Sequence, residues 1–215
     1  MDEKKTKKLI QMYVKEKKEL LDNFPIEDVF KATEFVWDSY LKGGIIYGCG
    51  NGGNASYVGN MVCDFSNHPF VLDDKSKTLK QNIERLTAID LTSSKENITG
   101  ILNDFGPNYI FSRQLINHKI NEKDLVIGFT GSGNSGNILQ AFETARKYSA
   151  KAIAITRGDG GKAKELSDVC IILPATSNFP GQVGKNEGNF HYEDTLSSIP
   201  HIITGILRER ISKEI

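Results

Sequence analysis

Five short apolar runs, Ile45 to Gly48, Leu86 to Leu91, Leu125 to Thr130, Ala152 to Thr156 and Val169 to Leu173, alternate with segments of helical periodicity. Parallel neighbours in a sheet need a crossover, and a right-handed crossover normally carries a helix onto the sheet face. The alternation therefore predicts an α/β fold, a doubly wound five-stranded parallel sheet with helices on both faces. Two helical core faces are legible between the runs. Val58, Met61, Val62 and Phe65 repeat at i, i+3, i+4 and i+7, and Ile138, Leu139, Phe142 and Ala145 do the same.

Two of the apolar runs end in loops rich in glycine and hydroxyls. The first reads Gly48-Cys49-Gly50-Asn51-Gly52-Gly53-Asn54-Ala55-Ser56, the second Thr130-Gly131-Ser132-Gly133-Asn134-Ser135-Gly136. A strand ending in glycines turns sharply, and the helix that follows points unpaired N–H groups and its positive dipole end at whatever lies ahead. Asn54, Ser56, Thr130, Ser132 and Ser135 add neutral donors, which suits one phosphate monoester held without a metal-bound triphosphate. Turns and N-caps alone also recruit these residue types, but two such loops at equivalent strand ends favour the anion site. The third glycine of a dinucleotide fingerprint is missing, and no Gly-Lys-Ser/Thr follows, so a nucleotide cofactor is not expected.

Composition bounds the rest. The 215 residues, 39% of them hydrophobic, suffice for one sizeable core, and 27 basic residues balance 27 acidic ones. That balance gives no field for nucleic acid or an anionic membrane. Cys49, Cys63 and Cys170 are odd in number and widely spaced, which reads as reduced thiols. With no apolar segment of signal or membrane-span length, the expectation is a cytoplasmic protein. Cys49, just inside a strand end, is expected to serve packing.

Residues 1–42 are charged and helix-favouring, with apolar positions at helical spacing on both sides of Pro25. They read as an N-terminal helical segment of two helices serving oligomerisation, and 43–215 as the domain that carries both glycine loops. The first helix is polar around most of its circumference and gains little from packing alone. Residues 73–77 and the stretch from Ser177 to Asn189 lack periodicity and read as loops, the second long enough for a lid. Lys162, after Gly160-Gly161, is expected near a helix start, and His191, just beyond that stretch, in solvent.

Four segments, Cys49 to Gly53, Asn103-Asp104-Phe105-Gly106, Thr130 to Ser135 and Gly158-Asp159-Gly160-Gly161-Lys162, together resemble the successive motifs of the sugar isomerase (SIS) domain, in particular those of bacterial phosphoheptose isomerases. The resemblance implies a flavodoxin-like sheet, a cytoplasmic homotetramer, and conversion of sedoheptulose 7-phosphate to a manno-heptose 7-phosphate through an enediol, a step of heptose biosynthesis. It implies that Asn54, Thr130, Ser132 and Ser135 hold the phosphate, with Gly53, Asn103 and Asp104 also at the substrate. A glutamate base and a histidine acid do the chemistry in that family and join a second histidine and a glutamine around zinc. By position these fall on Asp64, His201, Asn60 and Glu193. The carried-over set is thus Asp64, Glu193 and His201, for catalysis and for Zn2+ or another divalent metal. Either Asp64 or Glu193 serves as base.

Helical geometry bears on the same residues. Asn60 and Asp64 lie one turn apart, opposite the core face of their helix, while Ile202, Ile203, Ile206 and Leu207 mark a buried face on the last one. In a single helix Glu193, Ser197 and His201 form one stripe, and a neighbouring subunit would cover both polar faces. A helix that starts at Pro200 instead dissolves the stripe. Loss of the metal histidine at Asn60 also admits a non-catalytic SIS module that senses a phosphosugar or binds a protein, as relatives that bind a replication initiator do.

Overall fold

The computed structural model describes residues 2–71, 84–182 and 184–212. The loop read at 73–77 lies outside them. Five strands, β1 (Ile45–Gly50), β2 (Thr87–Asp90), β3 (Leu125–Phe129), β4 (Lys151–Arg157) and β5 (Val169–Leu173), form one sheet in the order β2-β1-β3-β4-β5. Every neighbouring pair is parallel, so the order reverses between β1 and β3, where open α/β sheets hold ligands.

The helices are α1 (Glu3–Asp22), α2 (Ile26–Leu41), α3 (Gly53–Asn67), α4 (Lys95–Phe105), α5 (Ile110–Asn117), α6 (Gly136–Lys147), α7 (Ala163–Leu166), α8 (Asn189–Leu196) and α9 (Ser198–Ser212). They cover the sheet from two sides, giving two cores. One gathers α2, α3, α8 and α9 around Ile46, Ile127, Phe129 and Ile155; the other gathers α5 and α6 around Tyr47, Val126 and Ala154. Alternate residues of β3 supply opposite cores, as the pleat requires. Cys49 lies in the second core, where burial pushes its thiol up.

The two N-terminal helices behave differently. In α2, Val29, Ala32, Val36 and Tyr40 enter the main core, so this helix is integral to the body. In α1 only Leu20 is buried, which contributes about 2 kcal/mol of burial. Polar bonds to α8 and the segment before it hold the rest of α1. Lys17 donates to Thr195 and the His191 carbonyl, Tyr13 donates to Asp194, and Glu16 accepts from Ser177 Oγ and the Asn178 N–H. His191 is fully buried within α8, its Nε2 3.0 Å from Glu16 Oε2 and its ring 4.3 Å from that of Tyr13. The solvated loop histidine read from sequence is thus corrected: a carboxylate 175 positions away compensates its burial.

The expected apolar face of α9 is also rotated. Ile199, Ile203, Leu207 and Ile211 are buried, whereas Ile202 and Ile206 are 40% and 37% exposed. Pro200 falls in the first turn of α9, where its missing N–H costs nothing. The joint at Ser197 puts Glu193 in a helix of its own.

Candidate functional site

Both glycine loops open on the same edge of the sheet, since β1 and β3 are parallel neighbours with Gly50 in register with Phe129. The first turns at Gly52, whose φ of +57° only glycine adopts freely, and α3 begins at once. The second turns at Gly133, φ +65°, where an added Cβ would lie 2.0 Å from the Gly160 carbonyl oxygen. The Gly158-to-Lys162 motif therefore buttresses the second loop; the Lys162 N–H also donates to Asn134 Oδ1, and Lys162 stands at the start of α7.

The loop donors are poised rather than consumed. Ser135 is the N-cap of α6 yet makes no side-chain cap bond, and its hydroxyl accepts at 3.4 Å from buried Thr130. Exposed Ser132 accepts from the Asn134 N–H. Asn54 Oδ1 is buried without a hydrogen bond. Asn51 and Asn137 exchange amide bonds of 2.9 and 2.8 Å and so join the loops. The structure thus brings Gly53, Asn54, Thr130, Ser132 and Ser135 to one sheet edge. Asn103 donates to Asp104, and Asp104 lines a separate groove with Phe105, Tyr109 and Arg113. Asn108, not singled out in the sequence, places its side chain over Gly136 at the start of α6 instead.

A second polar centre lies farther along α3. Asp64 is only 7% exposed because α9 of the same chain covers it, so no neighbouring subunit is needed for that. His201 Nε2 stands 3.1 Å from Asp64 Oδ2, but no donor is aligned on that buried oxygen for a hydrogen bond. His68, missed in the sequence although it follows Asp64 by one turn, brings Nε2 to 3.5 Å from Oδ1. Both imidazoles are more than half exposed. Asp64 is therefore a recessed carboxylate between two accessible imidazoles.

Glu193 belongs to the first centre. A Cβ added at Gly53 would lie 3.3 Å from Glu193 Oε1, and that oxygen accepts from Asn189 Nδ2 at 2.9 Å. Asn189 Oδ1 in turn lies 3.4 Å from a Cβ position on Gly131. One turn of α8 thus spans the mouths of both loops. Burial, then the charges of Glu193 and Asp194, push the Tyr57 phenol up.

This placement bears on the metal set. Gly53 and Asp64 are eleven residues apart in one helix, or about 16 Å along its axis. Ligands of one ion lie about 2 Å from it, so Glu193 as placed does not share an ion with Asp64 and His201. Among the described residues no three His, Cys, Asp or Glu side chains converge as a metal site. The donor set does not fit the implied zinc.

Known proteins supply an independent comparison. Residues 12–157 match the model of the SIS domain. A phosphoheptose isomerase of Vibrio cholerae is 31% identical over 196 residues, covering 91% of this chain and 88% of the relative. One from Leptospira biflexa is 35% identical over 167 residues, 78% and 80% of the two chains. Solved structures of phosphoheptose isomerases from Neisseria gonorrhoeae and Francisella tularensis superpose with TM-scores of 0.76 and 0.77 at 22% and 23% identity, over 96% of this chain and 98% and 97% of theirs. The five-stranded parallel architecture is shared with these folds. No helix among the described residues is long and apolar enough to cross a membrane.

Proposed function

This chain belongs to the SIS-domain family, and on that premise we propose that it is an aldose–ketose isomerase of phosphorylated sugars, with Asp64 and His201 as its proton-transfer groups. The observation that carries the reading is the approach of His201 Nε2 to a buried Asp64 oxygen on which no hydrogen bond is aligned. Isomerisation moves one proton between adjacent carbons and one between their oxygens. Asp64 takes the proton from the carbon beside the carbonyl while His201 gives one to the carbonyl oxygen, forming the enediol. Asp64 then delivers its proton to the former carbonyl carbon while His201 takes the proton of the neighbouring hydroxyl, so acid and base are restored. Each step uses only this chain's side chains.

The phosphate belongs at the glycine loops, and that fixes a requirement. From the second carbon of a seven-carbon sugar to its terminal phosphorus is roughly seven bonds of about 1.5 Å, at most about 10 Å. Asp64 is about 16 Å along α3 from the loops of its own copy. The reading therefore includes an oligomer, a homotetramer by the family resemblance, in which the loops of one copy face Asp64 and His201 of another. Ile202 and Ile206, exposed beside His201, supply apolar surface for that contact. Sedoheptulose 7-phosphate is the proposed substrate, the cytoplasm the proposed location, and heptose biosynthesis the proposed role.

Incubation with sedoheptulose 7-phosphate in deuterated water tests the proposal. Deuterium is expected at the carbon next to the carbonyl, and no exchange with any six- or seven-carbon phosphosugar would overturn it. If Asp64→Ala and His201→Ala variants keep full biological activity while Ser132→Ala and Ser135→Ala lose it, the non-catalytic binding reading replaces this one.

A further inference from the structure

The hydrogen-bonding character of the cleft changes from one loop to the other. At the α6 end the hydroxyls of Thr130, Ser132 and Ser135 stand before a helix N-terminus whose cap residue leaves the amides uncapped. At the α3 end two acceptors stand out. Both carboxylate oxygens of Glu193 lie within 3.5 Å of a Cβ position on Gly53, and Asn54 Oδ1 is buried without a donor. An ionised carboxylate accepts only, and its charge sits where the α3 dipole favours an anion. A negatively charged side chain of the chain itself thus already stands beside the second helix terminus.

We propose that Glu193 is a specificity-determining residue: it takes the hydroxyls of a neutral polyol chain at the α3 end, confines the phosphate to the α6 end, and rejects ligands with a second negative charge there. A sugar hydroxyl is the donor that Asn54 Oδ1 lacks, and Glu193 can accept a further one beside its bond from Asn189. A phosphate at the same place offers no proton to either and meets a like charge in a partly enclosed site. Asn189 fixes the carboxylate, since its Nδ2 donates to Oε1 while the helix turn between them holds the spacing. The site is thereby matched to monophosphates of neutral sugars and set against phosphorylated sugar acids and bisphosphates. This inference rests on the phosphosugar reading, but not on which groups move the protons.

Equilibrium binding to the full chain tests it with two probes of equal length, a four-carbon alditol 4-phosphate and the corresponding aldonic acid 4-phosphate, short enough for the second charge to stay beside the loops. The native chain is expected to bind the acid at least tenfold more weakly than the alditol. In Glu193→Gln, which keeps the shape and removes the charge, the gap is expected to close to about threefold or less. Asn189→Ala, which frees the carboxylate without removing it, is expected to narrow the gap only in part. Equal binding of both probes by the native chain, or an unchanged gap in a folded Glu193→Gln variant, would overturn the proposal while leaving phosphosugar binding intact. Failure of the native chain to bind either probe would overturn both.

Discussion

Asn51 and Asn137 hold the two glycine loops together through a closed pair of amide hydrogen bonds, 2.9 and 2.8 Å long. One residue follows β1 and the other begins α6, so the pair fixes the spacing between two helix N-termini that would otherwise move separately. Each bond contributes about 1 kcal/mol net. Asn51→Ala and Asn137→Ala are each expected to weaken inorganic phosphate binding two- to fivefold, with little loss of stability. The double variant should be no worse than either single one, because the first substitution already breaks both bonds. Titration calorimetry on the three variants checks this.

Asp64→Asn keeps the size of the side chain and removes the base. The expected result is a loss of deuterium exchange into the substrate of roughly 10²- to 10⁴-fold, with phosphate affinity unchanged. Ser135→Ala should do the reverse, weakening phosphate binding while single-turnover exchange at saturation falls far less. The split between KM and kcat separates the two centres.

Gly133 and Gly52 both have positive φ, but their surroundings differ. A Cβ at 133 would lie 2.0 Å from the Gly160 oxygen, whereas one at 52 meets nothing within 4 Å. Gly133→Ala is therefore expected to cost about 2–4 kcal/mol, from overpacking plus the left-handed backbone, seen as a drop of roughly 5–15 °C in Tm. Gly52→Ala should lose about 1–3 kcal/mol, from its backbone conformation alone. Thermal denaturation of the two variants makes the comparison.

The contact of α1 with α8 depends on Glu16. Burial alone would raise its pKa, but the bonds from Ser177, the Asn178 N–H and His191, with the charge of His191, hold it below the usual 4.5. A folded pKa below the unfolded one contributes stability that is present above the unfolded value and is lost as pH falls through the folded one. Attachment of α1 is accordingly expected to be firm near neutrality and to weaken as pH drops below about 4.5. Hydrogen exchange of the α1 amides, measured against pH, should show earlier opening than α2. In Glu16→Gln the α1 amides should be less protected near neutrality, and this acid-dependent step should vanish.

What the sequence disclosed was local. The run from Leu125 to Thr130 matches β3 to within one residue because burial on both sheet faces demands consecutive apolar residues, and both glycine loops fall at the expected strand ends. The relations that resisted reading join distant segments. Nothing in the spacing around His191 points to Glu16, and the face of α9 was misjudged because Ile202 and Ile206 satisfy a helical pattern without being covered. Periodicity alone puts Glu193 on one stripe with His201, while Pro200 signals the alternative of a separate last helix; the structure takes that alternative, with the break at Ser197 and Glu193 in a short helix rather than a loop.

That break has a consequence for how the chain tolerates change. A single rigid rod from Asn189 to Ser212 would tie the orientation of Glu193 to that of His201, so that any shift made for one would be imposed on the other. With a joint between them, each lies against its own stretch of α3, one at its first turn and one near its last. What the ligand mouth selects can drift independently of the acid–base pair.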